Sequence, residues 1–421
     1  MNLRLPVSAP LLAVFLALSS PSMAVDVSGQ SRTYLQSREE TDSSKLLPFF
    51  EYLDFKAEDV GSKNVSFHFG GWLRYDLKDD STPNKNKNSD LQYAYLSIRG
   101  DRADAAMNLG RVLVNEGVAS ELVDGAYVKT ALKGGFGVAA YGGSPVETTS
   151  DDRSGDSVYG GRISHSVEDV YRIGFSYLKE KNNSVDFRKE EGVDLWFRPV
   201  NKVELLGESF YNALTSEWMK HSYYLTLGQF SNLSFRTAYT QISYKDYFTS
   251  ATTSAFKLDP TIIDPNEKLT TLGEEVSFNS GVMTVSADYK KYLYEIAGDA
   301  NYYGGKLAFS SSLKGGLGVA YHRMYGATDK LRYNEYRAYA FTSFGAMNVT
   351  ADYLVVRYDE EINGVRNAYA AVLAGGYALT PAAKIGVDVE YDKNPDFNKD
   401  VRGLIKFVYN FDFVPAAKGG K

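Results

Sequence analysis

The chain has 421 residues, a formal net charge of −6 and no cysteine. The missing cysteine excludes disulfide bonds, thiol catalysis, zinc–thiolate sites and covalent c-type haem attachment, and no cofactor or metal site is predicted. The mildly acidic charge argues against a nucleic-acid partner, which would favour a strongly basic surface. The 32 Tyr, 23 Phe and 37 Gly at a mean hydropathy of −0.30 are typical of a membrane barrel with a polar lumen.

Residues 1–24 have the layout of a cleavable secretory signal peptide. A positive start with Arg4 precedes an apolar run from Leu5 to Leu18, and small residues lead to Ala24, where cleavage is predicted. The run is too short to cross a membrane as a helix. Because no later apolar run reaches spanning length, a membrane location requires a closed barrel.

Residues 25–63 are predicted to form an N-terminal extension in the periplasm or inserted in the barrel lumen. The polar stretch VDVSGQSRTYLQSREETDSSK is followed by the apolar, then acidic, stretch LLPFFEYLDFKAEDVGS. One or two helical turns are expected near Phe49 to Lys56. Such a segment could serve as a partial plug or as a docking arm.

From Asn64 onward, apolar and polar residues alternate with a period of two, which indicates β-strands with two different faces. In VRGLIKFVYNFDF (401–413), for example, Ile405 and Phe407 face one side and Lys406 the other. About twenty strands can be counted from Asn64, and 16–20 fit the pattern.

The connections between these strands fall into two classes. Every second one is short, as in VED (167–169) and TPA (380–382), whereas the others tend to be longer and polar, as in KEKNNSVDFRKE (179–190). Short periplasmic turns and long extracellular loops are typical of outer-membrane barrels, and a soluble all-β protein has no need of this asymmetry. The predicted fold is therefore all-β, a transmembrane antiparallel up-and-down β-barrel over residues 64–413, in the outer membrane of a Gram-negative bacterium.

The last predicted strand, IKFVYNFDF (405–413), resembles the C-terminal signal by which outer-membrane barrels are recognised for assembly. In most porins the closing Phe ends the chain, whereas here a short tail (414–421) follows Phe413. The resemblance implies contact with the barrel-assembly machinery through residues 405–413.

The whole mature chain resembles a porin-like family of outer-membrane channels from metal-reducing bacteria. The likeness is carried by the segments GQSRTYLQSRE, FFEYLDF, VSFHFGGWLRYDL (65–77) and LGRVLVNEGVASELVDGAYVKT (109–130). Members of this kind act as general channels or surround multihaem cytochromes in porin–cytochrome conduits. The resemblance therefore implies one of these two roles, the second with periplasmic or surface c-type cytochromes as partners in extracellular electron transfer.

Charged residues on the polar face of the predicted strands are candidates for lining the pore, where they would set ion preference. Both signs occur, which predicts weak selectivity; the alternative is a merely solvated polar lumen. The pore-lining candidates are Lys129, Arg172, Lys202, Glu204, Glu208, Arg236, Asp288, Lys290, Asp352, Lys384, Asp388, Glu390, Arg402 and Lys406.

A loop at 144–156 is predicted to fold inward and narrow the pore, with an ordinary exposed loop as the alternative. Its charged residues are Glu147, Asp151, Asp152, Arg153 and Asp156. The nearby stretch with Arg111, Glu116, Glu121 and Asp124 is a second candidate constriction. The longest loop, 245–269, could instead cover the mouth as a lid.

The aromatic residues and histidines permit further alternatives. Trp72, Trp196 and Trp218 are expected at the lipid interfaces, with aromatic platforms for sugar as the alternative. Two of the four histidines precede serine, at His165 and His221, but no nucleophile elbow, HExxH helix or phosphate loop occurs. An enzyme is therefore not predicted.

Two functions remain open. The first is a passive channel for small hydrophilic solutes, in contact with outer-membrane lipid and either monomeric or a homo-oligomer. The second is a structural sheath around a cytochrome. A channel requires a charged lining and an inward loop, whereas a sheath requires an open bore and a docking rim.

Overall fold

The computed structural model describes residues 25–39, 45–78, 87–100, 104–146, 156–248, 264–311, 315–396 and 399–413. The predictions for the signal peptide (1–24) and the tail (414–421) lie outside these residues. No helix in the described part of the chain is long and apolar enough to cross a membrane.

The described residues form 23 strands. These are β1 (Asp26–Glu39), β2 (Lys45–Leu46), β3 (Pro48–Glu58), β4 (Val65–Asp76), β5 (Lys87–Arg99), β6 (Ala106–Glu116), β7 (Ala119–Ala131), β8 (Phe136–Pro145), β9 (Ser157–Val167), β10 (Tyr171–Asn182), β11 (Val185–Val200), β12 (Val203–Asn212), β13 (Glu217–Phe230), β14 (Leu233–Ser243), β15 (Lys268–Asn279), β16 (Met283–Tyr294), β17 (Ala300–Ser311), β18 (Gly315–Gly326), β19 (Arg332–Phe344), β20 (Met347–Ile362), β21 (Val365–Ala378), β22 (Ala383–Lys393) and β23 (Asp400–Phe413). A helix, α1 (Tyr244–Phe248), follows β14, and 3₁₀ turns occupy Lys133–Gly135 and Asp329–Leu331.

The strands close into a barrel of 22. From β3 to β23 each strand pairs antiparallel with its neighbours in sequence, and β1 pairs with both β3 and β23. The short β2 pairs only with the end of β1 and lies outside this ring. The all-β antiparallel barrel is therefore confirmed, and the twenty strands counted from Asn64 correspond to β4–β23.

The predicted N-terminal extension is wrong, because residues 26–58 supply two strands of the wall. Val27 is opposite Phe413 on one side and Ala57 on the other, so β1 is the seam at which the barrel closes. The helical turns expected near Phe49 to Lys56 are likewise β3. The reason is closure: without β1 and β3, the outer edges of β4 and β23 would carry unpaired backbone groups, which a lipid environment does not tolerate.

The sequence of β1 does not indicate a strand of the wall, because both of its faces are largely polar. Its outward positions include Ser31 and Thr33, whose hydroxyls donate to the Glu51 carboxylate of β3 at 2.6 Å. Backbone pairing on both sides therefore stabilises a strand that has little alternation of apolar residues. Glu51 interrupts the apolar face of β3 in the same way.

The described connections at one rim are short, as predicted, including those at 167–171 and 378–383, although six residues join β3 to β4. The other rim is more varied than predicted. The stretch 179–190 is a hairpin rather than a loop, and its two turn residues, Asn183 and Ser184, have φ of 49° and 66°. Those angles suit the type I′ turn that matches the twist of a two-residue hairpin. We call these the short-turn rim and the long-loop rim.

The two faces of the wall differ in chemistry. One face exposes apolar side chains such as Phe175 (57% exposed), Leu373 (58%) and Ile405 (48%). The other carries the charges, for example Asp352 and Lys406. We call these the outward face and the lumen face, since an outer-membrane barrel alternates apolar-out and polar-in.

Replacing Gly29 by Val is expected to weaken closure of the barrel. A Cβ at Gly29 would lie 2.3 Å from the Asp54 carbonyl oxygen and 2.6 Å from the Phe411 ring. The fraction that folds into vesicles, read from the heat-dependent shift on a denaturing gel, should therefore fall. Gly403→Val is the control, because a Cβ there would lie 4.0 Å from its nearest neighbour, Ser37 Cβ. Equal folding of the two variants would contradict the seam assigned to β1.

Candidate functional site: a hairpin folded into the lumen

The hairpin of β6 and β7 leaves the barrel wall partway along its length. Strand β6 pairs with β5 only from Ala106 to Arg111. From Val112 to Glu116 it pairs only with β7. The end of the hairpin towards the long-loop rim is therefore detached from β5.

Glycines make the departure from the wall sterically feasible. Gly110 has φ of 128°, a conformation that favours glycine, and a Cβ there would lie 2.3 Å from the Ala94 carbonyl oxygen. Its partner Gly125 packs against Gly143 of β8, and a Cβ on Gly125 would lie 2.1 Å from the Gly142 carbonyl oxygen. These close backbone contacts leave no room for larger side chains at the bend.

Beyond this bend the hairpin folds back into the lumen. Glu116 is opposite Ala119 at its tip, eight residues along β7 from Tyr127. A straight strand would separate these levels by roughly 26 Å. The Tyr127 hydroxyl nevertheless donates to Glu116 Oε1 at 2.5 Å. The tip has therefore returned towards the short-turn rim.

The tip rests on the lumen face of β10 and β11. The Val118 backbone N–H donates to Ser176 Oγ at 3.0 Å. In the strand register, Ser176 is opposite Arg162, Arg162 is opposite Ala139, and Ala139 is opposite Lys129. Ser176 is therefore level with Lys129, which lies four residues closer to the short-turn rim than Gly125 at the bend. The hairpin thus crosses β8 and β9 on the inside of the barrel.

An apolar cluster holds the hairpin against the wall. Its members come from the hairpin and from the lumen face of β8, β9 and β10. They are Val112, Val114, Val118, Ala119, Val123, Tyr127, Ala139, Tyr141, Val158 and Leu178, all at most 8% exposed. Burying this surface favours the folded-in position, since each fully buried Val or Leu contributes about 2 kcal/mol.

Two arginines of the wall bind carboxylates of the hairpin. Arg162 forms a bidentate pair with Asp194, at 2.6 and 2.9 Å, and lies 3.7 Å from Glu116. Such bidentate pairs are geometrically specific. Arg162 thereby ties the β6 side of the hairpin to the wall.

The second arginine, Arg188, is 8% exposed and contacts three carboxylates. It makes a bidentate pair with Glu190 at 2.9 and 3.0 Å, lies 3.4 Å from Glu180, and donates a short hydrogen bond to Glu121 of the hairpin. Because Glu180 and Glu190 belong to β10 and β11, Arg188 connects three strands across the lumen face.

Gly192 provides the space in which the hairpin tip is seated. A Cβ on Gly192 would lie 2.4 Å from Val118 Cγ1. Replacing Gly192 by Leu is therefore expected to displace the tip. In a Val118→Cys background, maleimide labelling should accelerate, and the chain contains no other cysteine.

Gly375→Leu is the matched control for this experiment, because nothing lies within 4 Å of a Cβ at Gly375. Labelling at position 118 should then proceed at the rate of the parent. Equal labelling rates in the Gly192 and Gly375 variants would show that the hairpin tip does not pack against Gly192.

The structure brings the predicted constriction residues to different places. Glu147, Asp151, Asp152 and Arg153 lie outside the described residues, so the inward folding predicted for that loop stays a prediction. Asp156, at its end, is buried and accepts a hydrogen bond from the Asn183 N–H at 2.7 Å. The second candidate stretch, with Glu116 and Glu121, is the one found on the lumen face.

Strand register places thirteen of the fourteen pore-lining candidates on the lumen face. They are Lys129, Arg172, Glu204, Glu208, Arg236, Asp288, Lys290, Asp352, Lys384, Asp388, Glu390, Arg402 and Lys406. Lys202 is the exception: it lies in the β11–β12 turn, with its ammonium 5.3 Å from the Phe230 ring centroid.

Many of these lumen charges are paired. Lys220 and Lys406 donate to Glu208 and Asp388, both at 2.5 Å. Asp288 lies 3.0 Å from His322 Nε2. Pairing of opposite signs leaves little net field along the wall, and surface pairs of this kind are screened by salt.

Two of the three tryptophans lie on the lumen face, contrary to the interface prediction. Trp72 packs near Tyr52, with ring centroids 6.5 Å apart, and Trp196 Nε1 donates to Glu204 at 2.7 Å. Trp218 remains outward and is 48% exposed. The lumen aromatic group around Tyr52 was missed because β3 was not predicted as a strand.

Two of the four histidines, His68 and His221, lie beside a serine hydroxyl. Ser209 Oγ lies 2.8 Å from His221 Nδ1, and Ser66 Oγ lies 2.9 Å from His68 Nε2. A serine nucleophile also needs a third group that orients the histidine. In the described ranges no carboxylate hydrogen-bonds to either ring, and no group of three metal-ligating side chains is found there.

The sequence matches no protein-family model and no curated protein. Among solved structures, the siderophore receptor PirA from Pseudomonas aeruginosa has a TM-score of 0.58 and 10% identity over 91% of this chain and 80% of that one. OccAB4 from Acinetobacter baumannii (TM-score 0.46, 11% identity, 93% and 99% covered) and OccK11 (OpdR) from P. aeruginosa (0.43, 10%, 92% and 96%) also match. At these identities the likeness to PirA concerns the fold and not the activity.

Proposed function

We propose that the protein is an outer-membrane channel for passive diffusion of small hydrophilic solutes or ions. The proposal is carried by one observation: a hairpin of the wall is folded across the lumen face and anchored there by Arg162 and Arg188. Apolar exposure of the outward face is consistent with contact with outer-membrane lipid.

The width of the barrel explains why such a hairpin matters. Twenty-two strands about 4.8 Å apart and tilted by about 40° enclose a ring roughly 40 Å across between backbones. A bore of that size needs an element inside it to discriminate between solutes. Asp26–Glu39 and Pro48–Glu58 belong to the wall, so among the described residues the hairpin is the element that extends into the lumen.

The folded-in hairpin also bears on the sheath alternative. A barrel that surrounds a cytochrome needs an unobstructed bore, and a hairpin held by two arginines reduces it. This observation favours the channel. Assembly through residues 405–413, a homo-oligomer and cytochrome partners remain predictions.

The channel is expected to show weak ion selectivity. The thirteen lumen-face candidates include seven cations and six anions, several of them paired with each other or with neighbours. In a planar bilayer with a tenfold KCl gradient, the reversal potential of the purified protein should stay below about 15 mV, against about 59 mV for a perfectly selective pore.

The same recording tests the proposed function. Stable open steps are expected from the full chain. A protein that inserts and folds but never conducts would exclude the passive channel. A reversal potential near the limiting value would retain the channel and reject the weak selectivity.

A further inference from the structure

Folding of the hairpin into the lumen leaves a split in the wall. The first part of β5, residues 87–93, pairs with β4 on one side. On its other side, pairing with β6 begins only at Ala94, opposite Arg111. Within the described part of the chain, no strand covers this edge. An open strand edge facing hydrocarbon is costly, unless it lines water or another occupant.

The split reaches into the apolar band of the wall. Counting outward positions of β4 from the short-turn rim, Val65, Phe67 and Phe69 come first and Gly71 is fourth, opposite Leu91 of β5. Two-residue steps of about 6.7 Å place Gly71 roughly 20 Å along the strand from Val65. That distance lies within an apolar band about 25 Å tall.

A groove of about 500 Å³ opens at this position and is lined from both faces of the wall. Leu53, Phe69 and Leu73 belong to the outward face by register. Trp72 is on the lumen face, and it lines the same groove. The groove therefore lies beside the part of β5 that has no partner in β6, and residues of both faces border it.

The polar groups at the split are mainly acidic. Arg111 spans it: its Nη1 donates to the Leu91 carbonyl oxygen at 2.8 Å, and its guanidinium pairs with Asp124 at 2.7 Å. Asp90 lies 3.8 Å from the same arginine, and Glu51 faces the groove from β3. Three carboxylates against the Arg111 guanidinium and the Lys87 ammonium, which lies over the Tyr75 ring, leave a net negative rim.

We propose that the split between β5 and β6 is a lateral portal between the lumen and the lipid, for amphipathic molecules with an apolar tail and a cationic head group. The tail lies along Leu53, Phe69 and Leu73, and the head group is attracted by Asp90 and Glu51. This activity is separate from axial diffusion, because it depends on the wall and not on the bore.

The test uses a dodecyl chain with a photoreactive tail and a trimethylammonium head, supplied only in the lipid of vesicles that hold the full chain. After illumination, with the modified residue identified by sequencing of the labelled peptides, the lumen-face side chain of Trp72 should be labelled as well as outward-face side chains. Leu91→Trp fills the groove and should lower the lumen-face labelling about fivefold. The control, Leu373→Trp on the outward face of β21, should leave it unchanged.

A probe with the same tail and a carboxylate head should label the lumen face about fivefold less, because the rim is acidic. Labelling confined to outward-face side chains, or unaffected by Leu91→Trp, would overturn the portal. Equal labelling by both probes would overturn the cationic preference. Each variant must also conduct like the parent, which separates loss of the portal from loss of the channel.

If Leu91→Trp does not fold, a spin label at Ser89→Cys gives the second measurement. In an open portal this label is reached both by oxygen dissolved in the lipid and by a water-soluble nickel chelate. Access by oxygen alone would mean that the wall is closed at this point and would exclude the portal.

Discussion

Excision of the hairpin tip is expected to raise the single-channel conductance by at least about twofold, because it clears a wide bore. The variant replaces residues 112–123 by Asn-Gly. Arg111 and Asp124 are directly opposite, so a two-residue turn can join them. The wall keeps its twenty-two strands, since β6 and β7 still pair with β5 and β8. The measurement is conductance of the purified variant in a planar bilayer.

The control shortens a hairpin that stays in the wall. Replacing residues 358–366 by the same Asn-Gly joins Arg357 to its opposite partner Asn367. This removes part of the long-loop rim and should leave the conductance close to that of the parent. Unchanged conductance after excision of residues 112–123 would show that the hairpin does not restrict ion flow.

Replacing Arg188 by Met is expected to lower the free energy of unfolding by about 3–5 kcal/mol, the usual cost of removing one partner from a buried ion pair. Three carboxylates surround this guanidinium, whose side chain is 9% exposed. Without it, Glu121 repels Glu180 and Glu190, so the hairpin is also expected to detach. Urea unfolding from lipid vesicles measures the first effect, and labelling of Val118→Cys measures the second.

Arg337→Met is the matched control, because Arg337 also pairs with a carboxylate on the lumen face but its side chain is 51% exposed. Exposed pairs contribute at most about 1 kcal/mol. Glu121→Gln separates the two effects: it weakens the hold on the hairpin while Arg188 keeps Glu180 and Glu190. Similar losses for Arg188→Met and Arg337→Met would contradict the anchoring role.

The sequence pattern predicts β23 correctly and fails to predict β1, and this difference has a physical cause. In β23, Ile405 and Phe407 alternate with Lys406, and the strand was predicted correctly. In β1, Ser31 and Thr33 stand at outward positions, so its alternation is too weak to read. Partners in β3 and β23 determine the structure of β1, and that information is not local.

The prediction of which segment enters the lumen has a similar limit. The charges at Glu116 and Glu121 make this stretch the second candidate after the loop at 144–156, and the structure places both carboxylates on the lumen face. What folds the hairpin inward is the fit of Gly110 and Gly125 at the bend and of Val118 over Gly192. These contacts join residues up to 74 positions apart, so no spacing along the chain reveals them.

The sequence by itself determined the barrel class, its antiparallel order, the strands after Asn64 and the side of the wall on which most charges lie. These features follow from a period of two and from turn residues, which act over a few positions. Only the three-dimensional structure shows that β1 and β3 close the wall, that β6–β7 enters the lumen and that the start of β5 has no second strand partner among the described residues. These features depend on backbone partners and packing between distant strands, and only the closed barrel brings those together.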